Sequence, residues 1–211
     1  MKRILIIICA LFALCAGAAA QETWFCSEPG TTLSYSRTEV KSGATSTYDY
    51  VIKDKTVEED RTTIVFDVVV PGQPVASDCK VWVENGMFYN DVRAALGQFG
   101  NGVAAKGTSP VLPDAPYIGQ TLKDCSIYID DLMLASDYKK IKFTANKDIT
   151  VPAGTFNCWC LEFDVVDSAM GLKARSHVQQ WLAKGVGEVK SVTKDSNGRV
   201  LLEKSLMSIA K

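Results

Sequence analysis

From Thr32 onward the chain alternates apolar and polar residues with a period of two, segment after segment. Leu33, Tyr35 and Arg37 oppose Ser34 and Ser36, and Tyr48, Tyr50 and Ile52 oppose Asp49, Val51 and Lys53. Successive side chains of a strand point to opposite faces, so the pattern predicts half-buried antiparallel strands over 32–41, 48–53 and 61–70. Asn85-Gly86, between 80–84 and 87–89, is a two-residue hairpin turn, and Asn197-Gly198 does the same between 189–193 and 200–209.

A third hairpin is written at Val151-Pro152-Ala153-Gly154, where proline presets φ for the second position of a type I turn and Gly154 takes the left-handed position that follows the turn. It joins 140–150 to 155–166. In the second arm Trp159, Leu161, Phe163 and Val165 form one apolar face. Phe156, Cys158, Cys160, Glu162 and Asp164 share the other, which grades from buried to wet. One helix is expected, over 91–99: Asn90 caps it, Val92, Ala95, Leu96 and Phe99 form its stripe, and Gly100 ends it. A Gly/Pro-rich connector, 97–119, follows as an excursion within one domain. The sum is a mainly β fold, an antiparallel meander curled into a barrel or half-barrel with one short helix.

The N-terminus changes the picture of where this fold works. Lys2 and Arg3 precede an apolar run from Ile4 to Leu14, then Ala16-Gly17-Ala18-Ala19-Ala20 and the polar pair Gln21-Glu22. Positive start, apolar stretch and an A-x-A site predict a signal peptide over 1–20, and a single exported domain over 21–211. Leu14 before Cys15 argues against a lipid-attachment site. No later apolar run approaches the roughly 17–25 residues of a membrane-spanning helix. With a net charge of −1 and 22% charged residues, the chain has no basic stripe for nucleic acid. The expected location is periplasmic or secreted.

Export makes the cysteines informative. Cys26, Cys79, Cys125, Cys158 and Cys160 lie beyond residue 20, and an oxidising compartment predicts two disulfides and one thiol, with Cys158 and Cys160 going to different partners. A metal site is not expected, because the chain has one histidine, His177, and no second closely spaced cysteine pair. His177 has no G-x-S-x-G or similar nucleophile motif beside it and reads as a polar residue on a sheet face. Asp130-Asp131 reads as a solvated loop. Asp195-Ser196-Asn197-Gly198 lacks the closing glutamate of a calcium loop. Gly97-x-x-Gly100-x-Gly102 lacks a following Lys-Ser/Thr and reads as a loop. Gly185 and Gly187, in Lys184-Gly185-Val186-Gly187, permit positive φ and close backbone approach, as a sharp bend or bulge requires. No catalytic residue and no cofactor is assigned.

Two motifs carry a resemblance. Val151-Pro152-Ala153-Gly154-Thr155-Phe156 and Trp181-Leu182-Ala183-Lys184-Gly185-Val186-Gly187-Glu188-Val189-Lys190-Ser191, in this order after the Asn-Gly hairpin and the Pro-rich connector, are similar to the TapB-like family of small exported β-rich proteins of Gram-negative bacteria. Leu182, where an aromatic is commoner, and the extra Cys160 depart from its pattern. The resemblance implies a sheet curled into a barrel or half-barrel and supplies no catalytic residues. On the fold alone, the expectation is a non-catalytic envelope protein that binds an apolar small molecule inside the curl, with Tyr48, Tyr50, Trp159, Leu161 and Phe163 as ligand-binding residues. Docking on an envelope protein is the alternative, and an enzyme the third.

Overall fold

The computed structural model describes residues 22–71, 73–95 and 105–211. The expected signal peptide, the C-terminal half of the expected helix and the Gly97–Gly102 loop lie outside the described residues. Thirteen strands form one antiparallel sheet: β1 Thr32–Glu39, β2 Thr45–Val57, β3 Arg61–Val70, β4 Gln73–Glu84, β5 Met87–Asn90, β6 Ala105–Gly107, β7 Leu112–Pro113, β8 Cys125–Ile129, β9 Leu134–Val151, β10 Gly154–Ala169, β11 Leu172–Ala183, β12 Gly187–Asp195 and β13 Val200–Ala210. Their spatial order is β6-β8-β9-β10-β11-β12-β13-β1-β2-β3-β4-β5-β7. Two meanders, β8 to β13 and β1 to β5, are thus zipped together by the β13–β1 pair.

Twist curls such a sheet on itself. The two edge strands, β6 and β7, are consecutive in sequence, so residues 108–111 span the gap between them. The short helix α1, Val92–Ala95, packs on both β4 and β6 along the same seam. The sheet is therefore curled but not closed by hydrogen bonds.

The turns explain the hairpins. Asn85 and Gly86 both have positive φ, 51° and 72°, the geometry of a tight two-residue turn between β4 and β5. Pro152-Ala153 connects β9 to β10, and the turn reaches across to β13, where the Ala153 amide donates to the Leu206 carbonyl. Asp195 accepts from the backbone amides of Asn197 and Arg199 and organises the β12–β13 turn. β8 was not expected from the pattern: it is short, Cys-Ser-Ile-Tyr-Ile, and sits between β6 and the long β9.

One end of the curl is stoppered by the segment before β1. Gly185 donates to the Thr23 carbonyl at 2.7 Å and Cys26 to the Val186 carbonyl at 3.2 Å, which ties the segment to the β11–β12 turn. Trp24 donates from its indole N–H to the Pro113 carbonyl at 2.8 Å and lies under the Lys184 ammonium, which is paired with Asp114. Phe25 sits 4.8 Å from the Phe66 ring. Gly187, with φ +109°, is where glycine is needed: a Cβ there would stand 3.3 Å from Phe25 Cδ2. The bend expected at Gly185 and Gly187 is thus the seat of the stopper.

The disulfide expectation is corrected. All five described cysteines are free. No two stand opposite each other in the sheet register: Cys79 faces Phe66, Cys125 faces Tyr138, Cys158 faces Lys147, and Cys160 faces Ala145 and Trp181. Cys79, Cys158 and Cys160 are fully buried and act as small core side chains. Burial pushes the thiols of Cys79, Cys125, Cys158 and Cys160 up to about 11, so they are held as inert thiols.

Candidate functional site

Inside the curl lies a cavity of about 610 Å³. Every strand except β6 contributes to its wall. That is unusual for a protein interior, which normally packs to crystal-like density and leaves few voids larger than a water molecule. Trp24 and Phe25 of the stopper form its floor, and Arg37, Ser46, Thr47, Val70, Val165 and Leu202 lie toward the other end.

The wall has two characters. On the β3–β5 and β8–β10 side it is mostly apolar, with Val68, Val81, Phe88, Ile127, Leu161 and Phe163, and its polar members are Asn90 and Tyr138. On the β11–β12–β13–β1–β2 side it carries a polar cluster. Lys204 Nζ is 3.0 Å from Glu188 Oε2, and the Gln180 amide donates to the same oxygen at 2.7 Å. The Lys204 and Glu188 side chains keep 16% and 14% of their surface. Lys204 also stands over the rings of Tyr35, Tyr48 and Tyr50, at 4.8, 5.3 and 5.9 Å from their centroids.

Local structure places these groups. β1, β2 and β13 alternate regularly here, so Arg37 and Lys204, which are register partners, both line the cavity, with Ser46 beyond Arg37 on β2. In β12 a bulge intervenes: Trp181 faces Lys190 while Leu182 faces Glu188, leaving Val189 as the extra residue. Unbroken alternation would put Glu188 and Ser191 on opposite faces. The bulge aims both inward.

Burial sets the charge states. Desolvation, the largest single influence, would depress the Lys204 ammonium, but the Glu188 carboxylate together with Tyr48, Tyr50 and Tyr35 outweighs it and holds it well above the usual lysine range. Desolvation would likewise raise Glu188, yet Lys204, Ser191 and Gln180 together hold it below the usual carboxylate range. Desolvation raises the phenols of Tyr35, Tyr48 and Tyr50, against the opposing pull of Lys204, so all three keep their protons at neutral pH. The Tyr35 hydroxyl is buried without a hydrogen-bond partner, as is Asn90 Oδ1 on the cavity wall. Such orphaned groups cost about 1–3 kcal/mol each.

Of the residues singled out from the sequence, Tyr48, Tyr50, Leu161 and Phe163 line the cavity. Trp159 is half-buried and meets Phe143 edge-on at 6.0 Å, and Phe143 in turn stacks on Trp24, so Trp159 belongs to the aromatic layer around the stopper. Sequence reasoning missed Lys204, Glu188 and Gln180. The signal for Lys204 was present: it interrupts the period-two face Leu202-x-Lys204-x-Leu206, a charge at a core position. Glu188 had no such signal, because the bulge that turns it inward is not written in the alternation.

His177 does not line the cavity. It lies beside β10, Nδ1 3.1 Å from Asp164 Oδ1 and Nε2 3.9 Å from Glu162 Oε2, with 45% of its side chain exposed. Glu162 also accepts from Gln179 and lies 3.9 Å from Cys160 Sγ, whose raised thiol is no nucleophile. Asp130, the first of the aspartate doublet, begins a 3-10 turn and pairs with Lys106 on the surface. Among the described residues no group of three or more His, Cys, Asp or Glu is placed to hold a metal ion, and no helix is long and apolar enough to cross a membrane.

Two solved structures share this fold. A Bacteroides fragilis protein described as exported and as having a YmcC-like fold superposes with a TM-score of 0.77 at 14% identity, covering 90% of this chain and 100% of that one. A Parabacteroides distasonis protein described as a lipoprotein superposes with a TM-score of 0.76 at 19% identity, covering 90% of this chain and 99% of that one. No curated protein matches the sequence. The matching family model spans residues 28–206, from the stopper segment through Lys204 and Leu206 of β13, and the chain belongs to the DUF3108-like family.

Proposed function

We propose that this protein is a non-catalytic binding protein of the bacterial envelope, which holds a small molecule with a large apolar part inside its curled sheet. The observation that carries this reading is the unfilled interior. Its volume falls within the roughly 300–1,000 Å³ of small-ligand sites, and a mostly apolar wall with a few convergent polar groups is their usual make-up. Tyr48, Tyr50, Leu161 and Phe163 are the apolar and aromatic contacts in this reading, and Trp159 acts one layer below them. The signal-peptide pattern of residues 1–20 and the exported or lipoprotein descriptions of the two structural relatives support a periplasmic or secreted location. Within the DUF3108-like family, the two motifs around Pro152 and Gly185 favour the TapB-like group.

The test is titration with an environment-sensitive apolar dye. Saturable one-to-one binding is expected, and it should be lost in Val165→Trp, which fills the cavity from its wall. No saturable binding by the native protein would sink the reading.

The docking alternative has its own observation. The β8–β9 and β10–β11 turns are neighbours, since Leu134 and Leu172 both face Ala169, and they expose Met133, Met170 and Leu172 at 69%, 79% and 78%. A protein partner seated on these two tips is what that reading requires, and Met133→Ser with Met170→Ser would abolish capture of it while leaving dye binding intact.

A further inference from the structure

We infer that the paired tips of the β8–β9 and β10–β11 hairpins seat the protein on a lipid surface, with Met133, Met170 and Leu172 entering the headgroup layer and Lys173 and Arg175 meeting anionic lipid beside them. This goes beyond the binding reading and does not depend on what fills the cavity. Met170, Leu172 and Met133 are the three most exposed large apolar side chains among the described residues. They stand at the opposite end of the sheet from the stopper: Gly185, just past the end of β11, donates to Thr23, whereas Leu172 begins that strand. β11 is paired with β12 only from Ser176 onward. Leu172–Arg175 and the β10 residues opposite them therefore run roughly 13 Å past the last β11–β12 pair.

The backbone singles out the two methionines. Met170-Gly171 is a two-residue turn with both φ positive, 47° and 82°. Asn85-Gly86 makes the same turn at 51° and 72°, with the asparagine that such a turn favours. Met133 has φ 46° where the 3-10 turn Asp130–Leu132 ends, a left-handed position that suits glycine or asparagine. Neighbouring turns thus each carry a methionine against the local backbone preference. The fold buries neither side chain, so the strain is offset only when an apolar medium covers them. Between the tips runs a groove of about 340 Å³, apolar apart from Asp130, Ser168 and the Tyr128 phenol. The charges favour lipid as the occupant. Lys173 and Arg175 are exposed and make no ion pair among the described residues. Lys106 holds Asp130, and Asp167 accepts from the Ser136 hydroxyl, which leaves Asp131 as the one acid of these hairpin ends without a partner among the described residues. Long cations beside an apolar tip reach back to phosphate level, where anionic lipid attracts them. Tyr128, half-exposed on β8, adds an amphipathic ring of the kind that sits at that boundary.

The experiment is flotation with protein-free vesicles, one set of phosphatidylethanolamine with phosphatidylglycerol and one of phosphatidylcholine alone. The native protein should bind the anionic set at least about fivefold tighter, and Lys173→Ser with Arg175→Ser should erase that difference. Met133→Asn with Met170→Asn supplies the residue that both turns prefer, so the fold is kept. Its urea midpoint should hold or rise, while its vesicle affinity drops at least about tenfold. A native protein that leaves both sets unbound overturns the proposal, as does an asparagine variant that floats like the native one. A lowered urea midpoint in that variant would mean that the methionines serve the fold, and overturns it as well. Equal affinity of the native protein for the two sets overturns the part given to Lys173 and Arg175. Flotation with vesicles made from whole envelope membranes, but not with protein-free lipid, assigns the tips to a protein partner and overturns the lipid surface as their occupant.

Discussion

Gln179 and Gln180 are consecutive residues of β11, and each donates to a glutamate on the next strand, but on opposite sides of the sheet. Gln180 binds Glu188 in the interior cluster with Lys204; Gln179 binds Glu162 in the cluster of His177, Asp164 and Lys140. The two glutamine–glutamate hydrogen bonds are nearly equal in length, 2.8 and 2.7 Å. They differ in what surrounds them. Glu188 and Lys204 keep about a seventh of their surface, whereas His177 keeps 45% and Lys140 83%. In water-exposed geometry an ion pair contributes about 0–1 kcal/mol, because solvent screens it and the side chains lose entropy. Behind the sheet the same pair is a high-stakes arrangement: good while complete, and costly when one partner is removed.

The largest expected effect comes from breaking the interior pair. Glu188→Ala strands the Lys204 ammonium among three tyrosine rings, and loss of one partner of a buried pair costs roughly 3–5 kcal/mol. Urea unfolding followed by tryptophan fluorescence should show it. The double change Glu188→Gln with Lys204→Met should recover most of that loss, because both charges are gone together. If Glu188→Ala costs under about 1 kcal/mol, the interior cluster is as well solvated as the outer one and the contrast fails.

Acid and base sharpen the same contrast. Glu188 has a folded value lowered below its unfolded one, so its stabilising contribution is full above the unfolded carboxylate value of about 4.3 and is lost as pH falls through the folded value. Lys204 has a folded value raised above its unfolded one, so its contribution is full below about 10.4 and is lost as pH rises through the folded value. Stability should therefore form a plateau between those limits and fall on both sides. Glu188→Gln with Lys204→Met should flatten both limbs. Limbs that persist unchanged in the double variant would assign the pH dependence to other groups.

Much of this arrangement was legible from alternation alone. β3 is Arg61–Val70 as expected, β1 is shorter by two residues, and the curled antiparallel meander follows from strand after strand joined by tight turns. Tyr48, Tyr50, Leu161 and Phe163 reach the cavity because period-two faces carry them there. Where the alternation breaks, legibility stops. The bulge at Val189 turns Glu188 inward, so the interior anion could not be located by counting from the Trp181 strand. β7 and the Pro113 carbonyl that anchors Trp24 lie in a Gly/Pro-rich stretch with no periodicity to read. The cysteines misled for a different reason: compartment argues for bonds, but pairing needs geometry, and the register sets no strand cysteine opposite another.

A smaller effect tests whether the stopper maintains the difference between the two sides. Gly187→Ala asks a non-glycine residue to hold φ +109° and brings a Cβ to 3.3 Å from the Phe25 ring. Strain of this kind costs of order 1–3 kcal/mol. Loosening Phe25 and Trp24 admits water to the floor of the cavity, so the interior pair should also become more salt-sensitive than in the native protein. A stable Gly187→Ala protein with unchanged salt dependence would show that the seal does not depend on the glycine.

The smallest expected effect lies on the outer side. Asp164 is held below the usual carboxylate range first by Lys140 and then by His177, and all three side chains remain more than a third exposed. Replacing His177 by alanine removes one of two hydrogen-bonding neighbours of Asp164 and leaves Lys140 2.9 Å away, so no charge is stranded. The loss should stay under about 1 kcal/mol and vanish at 1 M salt, where the Debye length is about 3 Å. The same substitution should leave dye binding in the cavity unchanged, since His177 does not line it. A loss above about 2 kcal/mol that persists at 1 M salt would mean that this exposed network is coupled to the buried Cys160–Trp181 contact beneath it, and that the sheet does not insulate its two faces as the Gln179–Gln180 comparison implies.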